Sequence, residues 1–196
     1  MSNTKDDILR VAKQLYLEGG LSGMSLRKVA TEVGVSATAI YRHFDDKQAI
    51  VFALVADGYR AFSAAITPPS AKGAPQERLL QMADAYAAFV LSSPATYALL
   101  FLSTHHLGDG ANAFALPPHL QAAGRDALWL LVREVEAAVE AGVVRRDDVL
   151  TSSRMLWGQL HGLAALHLAQ RLGVSDDAYQ TLSHNAFAAT LRGLHP

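Results

Sequence analysis

No cysteine occurs in the 196 residues. That excludes a disulfide framework and any Cys-ligated metal site. Neither sign of charge dominates, since the formal net charge is -1. A nucleic-acid partner therefore cannot be argued from the whole molecule, and any DNA-binding face has to be local. Apolar runs are broken by charge, Gly or Pro within about a dozen residues, which predicts no membrane-spanning helix. Met1 to Arg10 is polar and charged, unlike a signal peptide, so a soluble cytoplasmic protein is expected. The chain also lacks a Walker loop, a Rossmann glycine pattern, a nucleophile elbow and a paired-carboxylate constellation, which argues against an enzyme. It carries no HExxH. His161 and His167 are six apart, on roughly opposite sides of a helix, so no metal site and no cofactor are expected.

What is present is helix. The composition is 51% hydrophobic, rich in Ala and Leu, which are strong helix formers. About nine helices and no strand are predicted, an all-α fold. Ile8, Val11, Ala12, Leu15 and Tyr16 recur on one helical face. Asn3 or Thr4 caps that helix, and Gly19 with Gly20 stops it. Ser25 caps a second helix with the apolar face Leu26, Val29, Ala30 and Val33. Gly34 ends it, and Ser36 caps a short third helix, Ala37 to Arg42. Asp45, with Gln48 at the capping-box position, starts a fourth running from Asp46 to about Ala65. The stretch from Thr67 to Pro75 reads as a linker. It divides the chain into a head, residues 1–66, and a body, residues 67–196. The body is predicted as helices Gln76 to Leu91, Pro94 to Ser103, His119 to Ala141, Asp148 to Leu172 and Asp176 to Leu194, with a loop from Thr104 to Pro118.

Two helices joined by a tight turn at Gly34, the second short and polar outside, make a helix-turn-helix, whose second helix enters the DNA major groove. Leu26, Val29, Ala30, Val33, Val35, Ile40 and Phe44 face inward. Ser36, Ala37, Thr38, Tyr41 and Arg42 are left facing outward, where small and hydroxyl side chains can approach base edges. Tyr41, His43, Lys47, Arg27 and the Ser25 hydroxyl at its helix N-terminus complete the expected DNA contacts. Residues 1–50 hold seven Lys or Arg against six Asp or Glu, so binding depends on where the charges sit.

The run SLRKVATEVGVSATAIYRHFDDKQAIVFAL resembles the signature of the tetracycline-repressor (TetR) family. Ser25, Val29, Ala30, Gly34, Val35, Ser36, Tyr41, His43, Phe44, Lys47 and Leu54 are the matching residues. The resemblance implies an all-helical two-domain fold, a homodimer on operator DNA and a repressor role. Position 42 departs from the commonest pattern, so operator preference does not carry over.

In the body, LWGQLHGLAAL (Leu156 to Leu166) resembles the Trp–His–Gly motif of one branch of that family, through Trp157, His161 and Gly162. Trp157 and His161 share a helix face, either as ligand contacts or as packed core. Tyr86, Phe89, Tyr97, Phe101, Phe114 and Trp129 are candidates to line an apolar cavity, with His105 and His106 as polar handles. Two stripes on the last two helices are expected to form a two-fold dimer interface. These are Leu156, Leu160, Leu163, Ala164 and His167, and Leu182, Ala186, Phe187, Ala189 and Thr190. The function expected is a ligand-responsive transcriptional regulator, a homodimeric repressor released by a small, largely apolar effector. The alternative is a constitutive or architectural DNA-binding regulator without a ligand.

Overall fold

The computed structural model of the chain describes residues 4–68, 73–102, 116–146 and 149–196, apart from the side chains of residues 21 and 22. Among the described residues there are nine α-helices and no strand. They are α1 (Thr4–Gly23), α2 (Leu26–Val33), α3 (Ala37–Tyr41), α4 (Lys47–Ile66), α5 (Pro75–Ser92), α6 (Pro94–Tyr97), α7 (Pro118–Glu140), α8 (Val149–Leu168) and α9 (Asp176–Gly193). A π-helical segment, Ala98–Leu102, follows α6. The chain forms two compact units, Met1–Gly58 with Ser103–Gln121, and Tyr59–Leu102 with Ala122–Pro196.

The first unit is built on α1 to α3 and the first three turns of α4. Its core is the apolar face read from the sequence: Ile8, Val11, Ala12, Val29, Ala30, Ile40 and Phe44 are buried, joined by Met24, Ile50, Val51, Leu54 and Val55. Each such Val, Leu, Ile or Phe stabilises by about 1.5–3 kcal/mol on burial. Gly19 and Gly20 leave helical geometry, Gly20 at φ 61, but one more turn follows to Gly23. They kink α1 where the sequence predicted its end. The cap of α4 also differs from expectation. Asp46, not Asp45, receives the Ala49 N–H at 2.7 Å, which places α4 one residue later and removes Gln48 from the capping-box position. By length and composition α4 is apolar enough to cross a membrane, with a mean hydropathy of 1.5, contrary to the sequence expectation. Its apolar side chains Ile50, Val51, Leu54, Val55, Phe62 and Ile66 are nevertheless buried within the protein.

The second unit packs the end of α4 with α5 to α9. Arg78 and Glu134 join α5 to α7 at 2.7 Å, both largely buried. Gln159 on α8 donates to the Ala186 carbonyl and to Thr190 Oγ1 on α9. The ring of buried His167 stacks on Tyr179 at 4.3 Å and reaches Asp176 Oδ1 at 3.0 Å. Ser175 caps α9 by accepting the Ala178 N–H. Helix α8 ends at Leu168, four residues before its predicted end, because Gln170 turns to φ 55. The predicted sixth helix is α-helical for only four residues before widening into the π-helical segment.

Candidate nucleic-acid interface and candidate ligand site

The turn between α2 and α3 is fixed by its caps. Ser25 Oγ accepts the Lys28 N–H at 3.2 Å, and Ser36 Oγ accepts the Ala39 N–H at 3.2 Å. Between them Gly34 adopts φ 78, and its N–H bonds the Ala30 and Thr31 carbonyls. The Val35 N–H returns to Ala30 O at 2.9 Å. This is a left-handed helix stop that a side chain would strain. Two residues later the chain is helical again, with α3 anchored on buried Ile40. Leu26, Val33 and Val35, expected inward, are only partly covered.

Ser36, Ala37, Thr38, Tyr41, Arg42 and His43 are all exposed, as is Arg27, while Ser25 and Lys47 are half-buried. Tyr41 leaves 57% of its surface in solvent. A large aromatic so exposed beside small and hydroxyl residues gives a surface able to meet base edges and phosphates. Helix α3 ends at Tyr41, one residue before its predicted end, with Arg42 as its C-cap.

In the second unit six of the eight predicted pocket residues come together. Tyr86 and Phe89 on α5, Tyr97 on α6, Phe101 on the π-helical segment, and Trp157 and His161 on α8 share ring contacts centred on Phe62 and Tyr86. Tyr86 Oη lies 2.8 Å from Tyr97 Oη and 2.6 Å from His161 Nδ1. Burial pushes both phenols well above their ordinary range. Burial lowers His161 to a pKa of about 4, against a smaller opposing effect of the Trp157 carbonyl. The imidazole is therefore neutral at pH 7, and its tautomer follows from which way the Tyr86 proton points.

Trp129 does not join the cluster. It is 48% exposed, on the α7 face that also carries exposed Arg125 and Arg133. A stripe at i, i+4 and i+8 with two arginines is a solvent face, and that spacing was the signal against it. His105, His106 and Phe114 lie outside the described residues. Phe62 was missed, because α4 was assigned to the head. The readable sign was the run Tyr59, Phe62, Ile66, which continues one helical face past Leu54.

The stripe predicted on α8 for dimerisation is mostly taken up by the chain's own core, with Leu163 left partly exposed. Leu156, Leu160, Ala164 and His167 are buried within the chain. The outer face holds Thr151, Met155, Gly158, Gly162 and Leu166, all exposed. An added Cβ at Gly158 or Gly162 would meet nothing within 4 Å, so this side of α8 is open to close approach. On α9 Phe187 is likewise buried, while Ala178, Leu182, Asn185 and Ala189 form the outer face. No group of three or more His, Cys, Asp or Glu among the described residues is placed to hold a metal ion.

Comparison with known proteins assigns both parts of the chain. Residues 8–54 match the family described as "Bacterial regulatory proteins, tetR family". Residues 79–189 match "Tetracyclin repressor-like, C-terminal domain". Over 46 residues the chain is 41% identical to the HTH-type transcriptional repressor BepR of Brucella suis biovar 1 (strain 1330). That stretch is 24% of this chain and 22% of that protein. A solved structure of a protein of unknown function from Rhodococcus sp. RHA1 superimposes with a TM-score of 0.82 at 28% identity, covering 100% of this chain and 97% of that one. A bacterial regulatory protein in the tetR family from Rhodococcus RHA1 shares the fold, with a TM-score of 0.77 at 17% identity over 100% of this chain and 98% of that one. Matched from the DNA-reading helices through most of the body, the chain belongs to the tetR family of transcriptional regulators, with an N-terminal helix-turn-helix domain and a C-terminal helical domain.

Proposed function

We propose that the protein is a repressor that binds a palindromic operator as a homodimer and is released by a small, largely apolar effector held in the C-terminal domain. The observation that carries the DNA reading is the outward face of α3, with Ser36, Ala37, Thr38, Tyr41, Arg42 and His43 all exposed on a helix fixed by two serine caps. Ser36, Ala37 and Thr38 reach bases; Ser25, Arg27, Tyr41, Arg42, His43 and Lys47 serve phosphates and the groove edge. Two copies are needed to read half-sites about 34–36 Å apart. The outer faces of α8 and α9 support that pairing, with Gly158 and Gly162 letting a partner helix approach closely.

Within each chain α4 runs unbroken from Lys47 to Ile66 and belongs to both units. A ligand that favours one arrangement of the body acts on the head through it, and a coupling of about 1–3 kcal/mol changes operator affinity roughly 5- to 150-fold. The reading without an effector draws support from the rings of the cluster, which already pack against one another. The test of the DNA reading is selection of bound sequences from random duplexes at two salt concentrations. A palindrome should emerge and be lost with Tyr41→Ala. With about 6 phosphate contacts per dimer, affinity should fall roughly a thousandfold between 50 and 200 mM salt. Recovery of unrelated sequences by both proteins would refute the reading.

A further inference from the structure

The aromatic cluster has a closed floor and an open rim. Phe62, Tyr86 and Tyr97 are buried, whereas Phe101, Trp157 and His161 are each partly exposed. At the rim the Phe101 ring stands 4.6 Å from His161, 5.0 Å from Tyr97 and 5.1 Å from Phe62. Phe101 is carried on the π-helical segment. Such a widened turn is less regular than an α-helix and is frequent at functional sites.

The cluster also has a defined polarity. Tyr97, Tyr86 and His161 form one chain of hydrogen bonds. If the protons run from Tyr97 toward His161, Nδ1 accepts and Nε2 carries the remaining proton as a donor; if they run the other way, Nε2 is an acceptor. Beyond its bond to Tyr86 the His161 ring meets the Trp157 carbonyl, and because His161 is partly exposed the chain ends at the rim. Among the described residues that make up the cluster, Phe62, Tyr86, Phe89, Tyr97, Phe101, Trp157 and His161, none is an acid, a lysine or an arginine. Among the described residues, only burial, neighbouring phenols and the Trp157 carbonyl act on the three titratable groups. A ligand ion would lose its water and find no counter-charge among these described residues.

We propose that this cluster is the effector seat, and that the effector is a neutral, planar aromatic molecule with one hydroxyl or carbonyl group. Its ring takes the place of the Phe101 ring against Phe62 and Tyr97, and its oxygen bonds His161 Nε2. The inference rests on the effector reading above and specifies its chemistry.

Three bicyclic probes of similar shape separate the charge classes: 2-naphthol, 2-naphthoate and N-methylquinolinium. Each is titrated into the full-length protein by calorimetry at pH 7. Saturable binding of 2-naphthol is expected, with the anion and the cation weaker by at least about tenfold, the value of roughly one lost interaction. Phe101→Leu, which keeps an apolar side chain but frees space, should tighten naphthol binding. His161→Leu should weaken it by about tenfold while His161→Gln largely retains it. Far-ultraviolet circular dichroism shows that each variant is folded. Equal or tighter binding of either ion, or no naphthol binding by the wild type and Phe101→Leu, overturns the proposal. Operator affinity measured with and without naphthol separates the two ideas. Binding that leaves operator affinity unchanged supports the seat and refutes release.

Discussion

A histidine walled by Trp157, Phe101 and Tyr86 titrates unlike one in water. Unfolded, His161 takes up a proton near pH 6.5; folded, it refuses one until about pH 4. Protonation below pH 6.5 therefore favours the unfolded chain. The stability that the neutral ring contributes is complete above pH 6.5 and is lost as pH falls toward 4, at up to about 1.4 kcal/mol per pH unit. Urea midpoints between pH 7 and 4 should fall less steeply in His161→Gln than in the wild type. Parallel slopes would mean that the ring is not held neutral. The turn between α2 and α3 was legible in the sequence because Ser25, Gly34 and Ser36 are each fixed by local backbone needs, a cap, a left-handed stop and a second cap. Trp129 was not, because aromatic identity carries no direction. Only its place between Arg125 and Arg133 on α7 turns it outward.

At the scale of elements, α7 comes close to α4 in the second unit at Gly124. An alanine Cβ at Gly124 would lie 2.9 Å from Tyr59 Oη and 3.2 Å from Cζ. Tyr59 is buried, with its ring edge-on to Phe101 at 5.9 Å, so the hydroxyl has little room to retreat. Gly124→Ala should cost about 1–3 kcal/mol through overpacking. Adding Tyr59→Phe, which deletes the clashing oxygen, should recover part of that loss in a double-mutant cycle of unfolding free energies. Additive costs would place the strain elsewhere. Helix existence was readable from apolar periodicity, yet the face of α8 was not. Its two sides, Leu156–Leu160–Ala164 and Met155–Gly158–Gly162–Leu166, are both free of charge, and only the packed body shows which one is covered. The π-helical widening at Ala98–Leu102 leaves no periodic signal in five residues, so it was read as ordinary helix.

For the whole molecule, the homodimer proposed above makes its own prediction. Met155→Glu with Leu166→Glu puts two carboxylates on the open face of α8 and leaves its buried side untouched. Sedimentation should then report a monomer. Affinity for a palindromic site should fall at least about a hundredfold, as the benefit of joining two half-site contacts is lost. A dimer that persists in this variant would place the interface on another surface.

The first unit ends at Gly58 and the second begins at Tyr59, in the middle of α4, and the start of α7 belongs with the first unit. Recombination of N-terminal and C-terminal domains between relatives therefore has no single crossover point. A junction at the Thr67–Pro75 linker, the place that composition suggests, would carry Phe62 and Ile66 away with the head and leave Tyr86, Phe89 and Trp157 facing a stranger's side chains. Any graft that preserves both cores has to be spliced within the helix, and more than once along the chain.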